Sequence, residues 1–310
     1  MPIDSAYRCN FCHSTQGTTF LATERMLGLG GAFSYMACAS CGSLQLLDVP
    51  KDLSTYYPSS YYSFTSLHYS SFFRRAFKKL RMKAFLNTGW PFFSPPFGDW
   101  LKKLRPSFHQ GIADVGCGSG QLLYEMSISG FTDLHGFDPF LPETKKINSG
   151  LSLWKSDIAS SGLRFDVIMM HHSFEHMDNP RLVLRDAFDA LHPGGILLVR
   201  CPVTDALVWK EKGPLWVQLD APRHLHIPST NGFQLAAKEI GFAIKEIIFD
   251  STSFQFWGTS LYERGEVLDR RKIKSYFSAQ ELATWEEKAK QYNQSGEGDQ
   301  ACFYCQKPKI

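Results

Sequence analysis

The chain has 310 residues, 44% of them hydrophobic and 14% aromatic, with a formal net charge of +3. That is enough apolar material for one large core plus a satellite module, and it excludes wholesale disorder. So small a positive excess gives no sign of nucleic-acid binding. No run reaches the roughly 18 apolar residues of a membrane span, and Met1–Asn10 carries no basic-then-apolar leader. A cytoplasmic protein with its eight cysteines reduced is expected.

Three segments follow one another. In residues 1–50, Cys9-x-x-Cys12 and Cys38-x-x-Cys41-Gly42 form two knuckles in a stretch with little apolar periodicity. So small a segment needs a staple, and four thiolates at this spacing suit a closed, tetrahedral structural zinc. A redox pair is the alternative, which the symmetry of the two knuckles disfavours. Residues 51–108 are aromatic, basic and punctuated by proline. Here His68–Leu86 reads as a helix carrying Arg74, Arg75, Lys78, Lys79, Arg81 and Lys83. With Trp90-Pro91-Phe92-Phe93 behind it, such a helix could rest on a membrane surface. The reading adopted is a solvated helix face whose aromatics pack on the catalytic domain.

Residues 109–310 alternate short apolar runs with helical patterns, the signature of an α/β fold with a doubly wound, mostly parallel sheet. Strands are predicted at Gly111–Val115, Leu134–Phe137, Ser152–Lys155, Phe165–Met170, Ile196–Arg200 and Phe242–Phe249, with Ala301–Lys307 as an antiparallel last strand. Helices are predicted near Gln121–Ser129, from Pro180 to just before Gly194-Gly195, from a cap at Ser229 or Thr230 to Gly241, and over Gln280–Tyr292. Cys302 and Cys305 fall three apart on that last strand and point to opposite faces. They read as core or surface residues, and Cys117 and Cys201 as buried packing.

Between the first strand and its helix stands Ala113-Asp114-Val115-Gly116-Cys117-Gly118-Ser119-Gly120. Glycines let the backbone turn tightly and approach a ligand, and the helix start presents free N–H groups. Further on, Asp138 ends the second strand, where an acid can grip both hydroxyls of a ribose. A dinucleotide fingerprint would need a third glycine at position 121, which is Gln121.

Histidines cluster at the carboxyl ends of two strands: His171, His172 and His176 in one segment, His224 and His226 in the other. Ligands of open α/β sheets bind there. A transfer that needs a nucleophile stripped of its proton suits His or a tuned carboxylate, and Glu175 beside His176 would orient the imidazole or act as base. The bland reading is that these histidines satisfy backbone groups. His172-x-x-Glu175-His176 also matches a metalloprotease pattern, which needs one continuous helix where this segment instead follows a strand.

The glycine loop with its two acids resembles motif I of class I S-adenosylmethionine-dependent methyltransferases. Taken with CxxC…CxxCG, YYPSSYYSF, HHSFEH, DAPRH and GDQACFYC, the chain resembles a bacterial group of zinc-knuckle methyltransferases over nearly its whole length. The resemblance implies a small N-terminal zinc-binding module (1–50), a connector that covers the active site (51–108) and a Rossmann-like methyltransferase domain (109–310). It implies that Gly116, Gly118 and Gly120 lie against the methionine part of the cofactor, with Asp114 at its methionine end, Asp138 at the ribose and Asp157 beside the adenine. His172, Glu175 and His176 become catalytic candidates, and Tyr57, Tyr61, Arg223 and His224 acceptor-binding ones. Relatives in the group include enzymes that C-methylate nucleotide-linked deoxysugars, and those usually continue into a further C-terminal domain. This chain ends at Ile310, so C- or O-methylation of a sugar nucleotide or glycan precursor is expected. A non-catalytic module that recruits partners through its zinc knuckle is the alternative.

Overall fold

The computed structural model describes residues 7–58 and 67–309. Strands β1 (Gly17–Glu24), β2 (Gly30–Cys38) and β3 (Leu44–Leu46) come first, then helices α1 (Phe72–Thr88) and α2 (Gly98–Leu104). The alternating part runs β4 (Ile112–Val115), α3 (Gln121–Ile128), β5 (Leu134–Phe137), β6 (Lys145–Asn148), β7 (Leu151–Trp154), β8 (Phe165–His171), α4 (Pro180–Ala190) and β9 (Leu191–Pro202). It closes with α5 (Leu207–Lys212), β10 (His226–Ile227), α6 (Thr230–Ile240), β11 (Ala243–Phe249), α7 (Phe254–Glu263), α8 (Ile273–Tyr276), α9 (Ala279–Ser295) and β12 (Gln300–Gln306).

Contacts divide the chain into two units. One gathers Met1–Pro58, Phe174–Leu184 and Val199–Cys305, the other Ser59–Ser173, Arg185–Leu198 and Gln306–Ile310. In the second unit the strand order is β8-β4-β5-β7-β6. β4 pairs in parallel with both β5 and β8, and β5 with β7, while β6 returns antiparallel as a short hairpin arm. Every residue of β4 is buried, as a strand covered on both faces requires. The apolar run of β8 is likewise buried from Val167 to Met170.

The first unit holds a four-stranded sheet of order β1-β2-β3-β10. The N-terminal cysteine segment is therefore no satellite. β3 pairs with β10, taking in His226 and Ile227 from far along the chain. Ser229, the cap of α6, accepts from Gly232 N–H and donates to the Cys41 carbonyl. A Cβ at Gly232 would stand 2.2 Å from Ser43 Oγ and 3.2 Å from Cys41 Sγ, so only glycine lets α6 start against the second knuckle. The first unit also contains β11, β12 up to Cys305 and the end of β9. Val203 N–H donates to the Asp299 carbonyl in this unit, and Gly194 N–H to the Lys307 carbonyl in the other; that pairing runs β12 antiparallel to β9.

Several expectations shift. β9 begins at Leu191, directly after α4, and the two glycines read as a helix stop lie inside the strand. The reason is that Gly194, at φ 83°, and Gly195 pair with Lys307. Cys302 and Cys305 are both buried, whereas Cys117 is only half-buried. The aromatics of the basic segment do not all pack inward: Phe72, Phe73, Phe77, Trp90 and Phe92 are exposed. No helix among the described residues is long and apolar enough to cross a membrane.

Candidate cofactor and acceptor sites

In the second unit the chain leaves β4 at Val115 and turns through the glycine loop into α3. Gly116, Gly118 and Gly120 all take positive φ, at 77°, 52° and 81°. Space excludes a side chain as firmly as the dihedral does, since a Cβ at Gly116 would lie 2.3 Å from Ser173 Cβ and one at Gly120 2.7 Å from the Leu153 side chain. Ser173 Oγ in turn donates to the Val115 carbonyl at 2.7 Å. Asp138 closes the loop. Its Oδ2 accepts from Gly118 N–H and its Oδ1 from Phe140 N–H, both at 2.9 Å. Each oxygen keeps a second lone-pair site, enough for a ribose diol.

Asp114 is buried in β4, and burial first, then the neighbouring Asp138, pushes its pKa up to about 7. A cationic ligand beside it would favour the carboxylate, while a neutral one would leave its pKa raised. Asp157 lies exposed in the turn after β7. His172 is half-buried just past β8 with φ 51°, a left-handed conformation costly for a residue with a Cβ.

The first unit assembles a second cluster. Phe174–His176 is a single 3-10 turn and not part of a continuous helix, which removes the protease geometry. His176 Nδ1 lies 2.9 Å from the Arg223 carbonyl and 3.1 Å from Tyr57 Oη. A carbonyl only accepts, so Nδ1 carries a proton, and in the neutral tautomer the lone pair is then on Nε2. By the same logic His224 Nδ1–H donates to the Gln218 carbonyl at 2.7 Å. Its Nε2 then faces Glu175 Oε1 and Asp220 Oδ2, each at 3.9 Å. Burial, then the adjacent His176, lowers the His224 pKa to about 4, so this imidazole is neutral near neutral pH. Ligand atoms of Glu175, His176 and His224 all lie within 4.8 Å of one another, close enough to hold a cation.

Arg223 has a different task from the one its residue type suggests. It is wholly buried, with guanidinium contacts to Asp220 Oδ1 at 2.6 Å and Glu24 Oε1 at 2.9 Å. Burial disfavours the charged guanidinium, but the two acids more than reverse that and raise its pKa. Its ion pairs are internal, and its carbonyl orients His176, so it positions the cluster and does not present itself to an acceptor. Glu24 and Asp220 are the residues that sequence reasoning missed. Asp220 stands in the DAPRH segment and could have been suspected there. Glu24 ends a strand in the cysteine segment, and nothing local marks it. His226 is a core histidine, packed against Phe11 and Phe174. Tyr61 lies outside the described residues.

Also in this unit, Cys9 and Cys41 bring their sulfurs to 3.5 Å, and Cys12 and Cys38 to 3.6 Å. All four are free thiols, and all four sulfurs lie within 4.8 Å of one another. Each knuckle is a tight turn: His13 N–H reaches the Cys9 carbonyl and Gly42 N–H the Cys38 carbonyl. These cysteines could hold a metal.

A family profile described as "Methyltransferase domain" matches residues 68–247, more than half of the chain. The chain belongs to this family of S-adenosylmethionine-dependent methyltransferase domains. It is 30% identical over 113 residues to a ubiquinone biosynthesis O-methyltransferase of Azorhizobium caulinodans, covering 33% of this chain and 44% of that one. A second such enzyme, of Ralstonia nicotianae, is 27% identical over 108 residues, 31% of this chain and 45% of its own. The chain thus spans less than half the length of these curated relatives. Among solved structures, an S-adenosylmethionine-dependent methyltransferase from Mesorhizobium loti superposes with a TM-score of 0.43 at 14% identity, over 67% of this chain and 95% of that one.

Two consequences can be measured. In the unfolded chain Asp114 ionises near 3.8, and in the fold it holds its proton up to about 7. Its contribution to stability is complete below the lower value and is lost as pH rises toward the upper one. Thermal unfolding of the cofactor-free protein should therefore show Asp114→Asn gaining on the wild type across that window. An unchanged difference would mean that the carboxyl is ionised in the fold. Arg223→Met leaves Glu24 and Asp220 buried without their cation, and urea unfolding should show a loss of about 3–5 kcal/mol.

Proposed function

We propose that the protein transfers the methyl group of S-adenosylmethionine to a small-molecule acceptor, with the Glu175–His176–His224 cluster taking the acceptor's proton. The observation that carries this reading is the pair of imidazoles whose Nδ1–H groups are each tied to a backbone carbonyl. That leaves an Nε2 lone pair on each neutral ring, and His224 Nε2 lies 3.9 Å from both Glu175 Oε1 and Asp220 Oδ2. A neutral imidazole with its tautomer fixed and acids behind it accepts a proton as the acceptor's O–H or C–H breaks. The electron pair so freed would attack the methyl carbon that bound S-adenosylmethionine supplies, with the C–S bond breaking and the neutral thioether as leaving group. Alignment of acceptor and methyl supplies much of the acceleration.

The cofactor would lie along the glycine loop: Gly116, Gly118 and Gly120 against its methionine part, Asp114 toward its cationic end, Asp138 on the ribose and Asp157 beside the adenine. His172 is the third catalytic candidate; only Ser173 and Phe174 separate it from Glu175 in the chain. The acceptor class we favour is a sugar nucleotide or glycan precursor, after the resemblance of the whole motif set, with C- and O-methylation both accessible to this base. The curated relatives are named as O-methyltransferases of ubiquinone biosynthesis, which makes such precursors the competing set.

The test supplies radiolabelled S-adenosylmethionine with panels of both acceptor types and follows labelled product. Glu175→Gln, His176→Ala and His224→Ala should each lower turnover by about 10²–10⁴-fold, while calorimetry finds the cofactor affinity unchanged. Full activity in all three would remove the cluster from the mechanism. A second reading puts a divalent cation in the same cluster, favoured by the three ligand atoms within 4.8 Å. It predicts loss of turnover in chelator that leaves the cysteine-bound metal in place.

We also propose a structural zinc on Cys9, Cys12, Cys38 and Cys41. Zn–S bonds of about 2.3 Å in a tetrahedron require sulfurs about 3.8 Å apart, and the two short pairs are close to that. The cysteines sit against the cap of α6, so the metal would brace the start of that helix. Elemental analysis should find about one zinc per chain. Cys9→Ser should release it and lower the unfolding temperature, and a metal-free wild type of equal stability would contradict the assignment.

A further inference from the structure

Helix α1 has one face accounted for and one not. Inward, Met82 and Phe85 are buried. Lys78 Nζ reaches Glu125 Oε2 at 2.5 Å, and just before the helix Ser70 N–H donates to Tyr124 Oη at 3.0 Å and His68 N–H to Gln121 Oε1 at 2.8 Å. These contacts fix the segment onto α3. Outward, Phe73, Phe77 and Leu80 recur at the spacing of a single helical face, with exposures of 83%, 63% and 70%. Phe72 beside them is equally open, and past the helix end Trp90 and Phe92 are exposed as well. Single exposed apolar side chains are ordinary, but a continuous stripe of them marks a contact surface.

We propose that this face docks on an anionic lipid bilayer, with the helix lying in the plane of the interface. The charge around the stripe selects that occupant. Arg74, Lys79 and Lys83 are exposed beside it, and Arg81 is half-buried. No Asp or Glu occurs from Leu67 to Gly98. A second copy of the chain meeting this face about a two-fold axis would bring Arg74, Lys79 and Lys83 of one helix against the same three cations of the other. A headgroup layer of phosphates and carboxylates instead neutralises them while the phenylalanines and the leucine enter the acyl boundary. Trp90 sits where an indole favours the headgroup level, its ring body apolar and its N–H able to bond to water or ester oxygens. At 17 residues the helix is about 25 Å long, a length suited to lying flat.

The experiment is sedimentation of the full chain with vesicles of phosphatidylcholine alone and of phosphatidylcholine mixed with phosphatidylserine. Binding to the mixed vesicles only, weakened by added salt, is expected. Each exposed cation near such a surface contributes about fivefold in partitioning, so Lys79→Glu with Lys83→Glu should reduce it about 25-fold or more. Phe73→Ser with Phe77→Ser should reduce it too, at unchanged salt dependence. Both double variants should keep the wild-type unfolding temperature, and Lys288→Glu on α9 should bind vesicles normally. The proposal is overturned by absence of binding to the mixed vesicles, or by binding that neither double variant weakens. It is equally overturned if sedimentation velocity shows a dimer that Phe73→Ser with Phe77→Ser dissolves, because the face would then be a contact between copies of the chain.

Discussion

Much of the first unit depends on one buried cation. Arg223 is enclosed without solvent, and its charge is tolerable only because Glu24 and Asp220 meet it. Those two acids come from distant stretches of chain, one at the end of the first strand and one in the loop that carries Arg223 itself. The ion triad therefore ties the cysteine-bearing hairpin to the loop that supplies His224. The same residue fixes His176 through its carbonyl and bonds the Tyr56 carbonyl, next to Tyr57. Tyr35 Oη donates to the His224 carbonyl from the second strand of that hairpin. The N-terminal segment thus acts as the wall against which the histidine pair is held in one tautomer.

The second unit follows a different constraint, which is space. Ser173 and Leu153 occupy the volume that side chains at Gly116 and Gly120 would need. Packing and the positive φ of these glycines together keep side chains out of the loop. Asp114 is then pressed into β4 with Asp138 close by, and that arrangement favours a neutral carboxyl until a positive charge arrives. A sulfonium cofactor that also carries an ammonium group supplies such a charge. The sequence offered the glycines and the two acids but gave no hint that Ser173 is the residue that excludes a side chain at Gly116.

Helix periods and caps were legible where one face of an element is apolar and its ends are marked. α6 begins at Ser229 and stops at Gly241 as its residues dictate, and β5 lies where its four residues predict. The hairpin β1–β2 and helix α7 were not legible. Glycine-rich turns at Gly28–Gly31 hid a regular pairing from Gly17 to Glu24, and α7 is buried over most of its surface, so it shows little amphipathic period. The outward aromatics of α1 were misread for a related reason. Residue type states a preference for burial, and only the surroundings decide whether it is met.

The sequence by itself determined the class of protein: a mostly parallel α/β sheet, a glycine loop between its first strand and helix, and four cysteines in two knuckles. Those features are local, set by spacing along a strand, a turn or a helix, and spacing is what a sequence records. Tertiary structure decided the rest. It made Arg223 a strut and His226 core, recruited Glu24 and Asp220, and left the stripe on α1 facing outward. Each of those outcomes depends on which distant residue comes within a few ångströms, and burial and pairing of charge are properties of that neighbourhood.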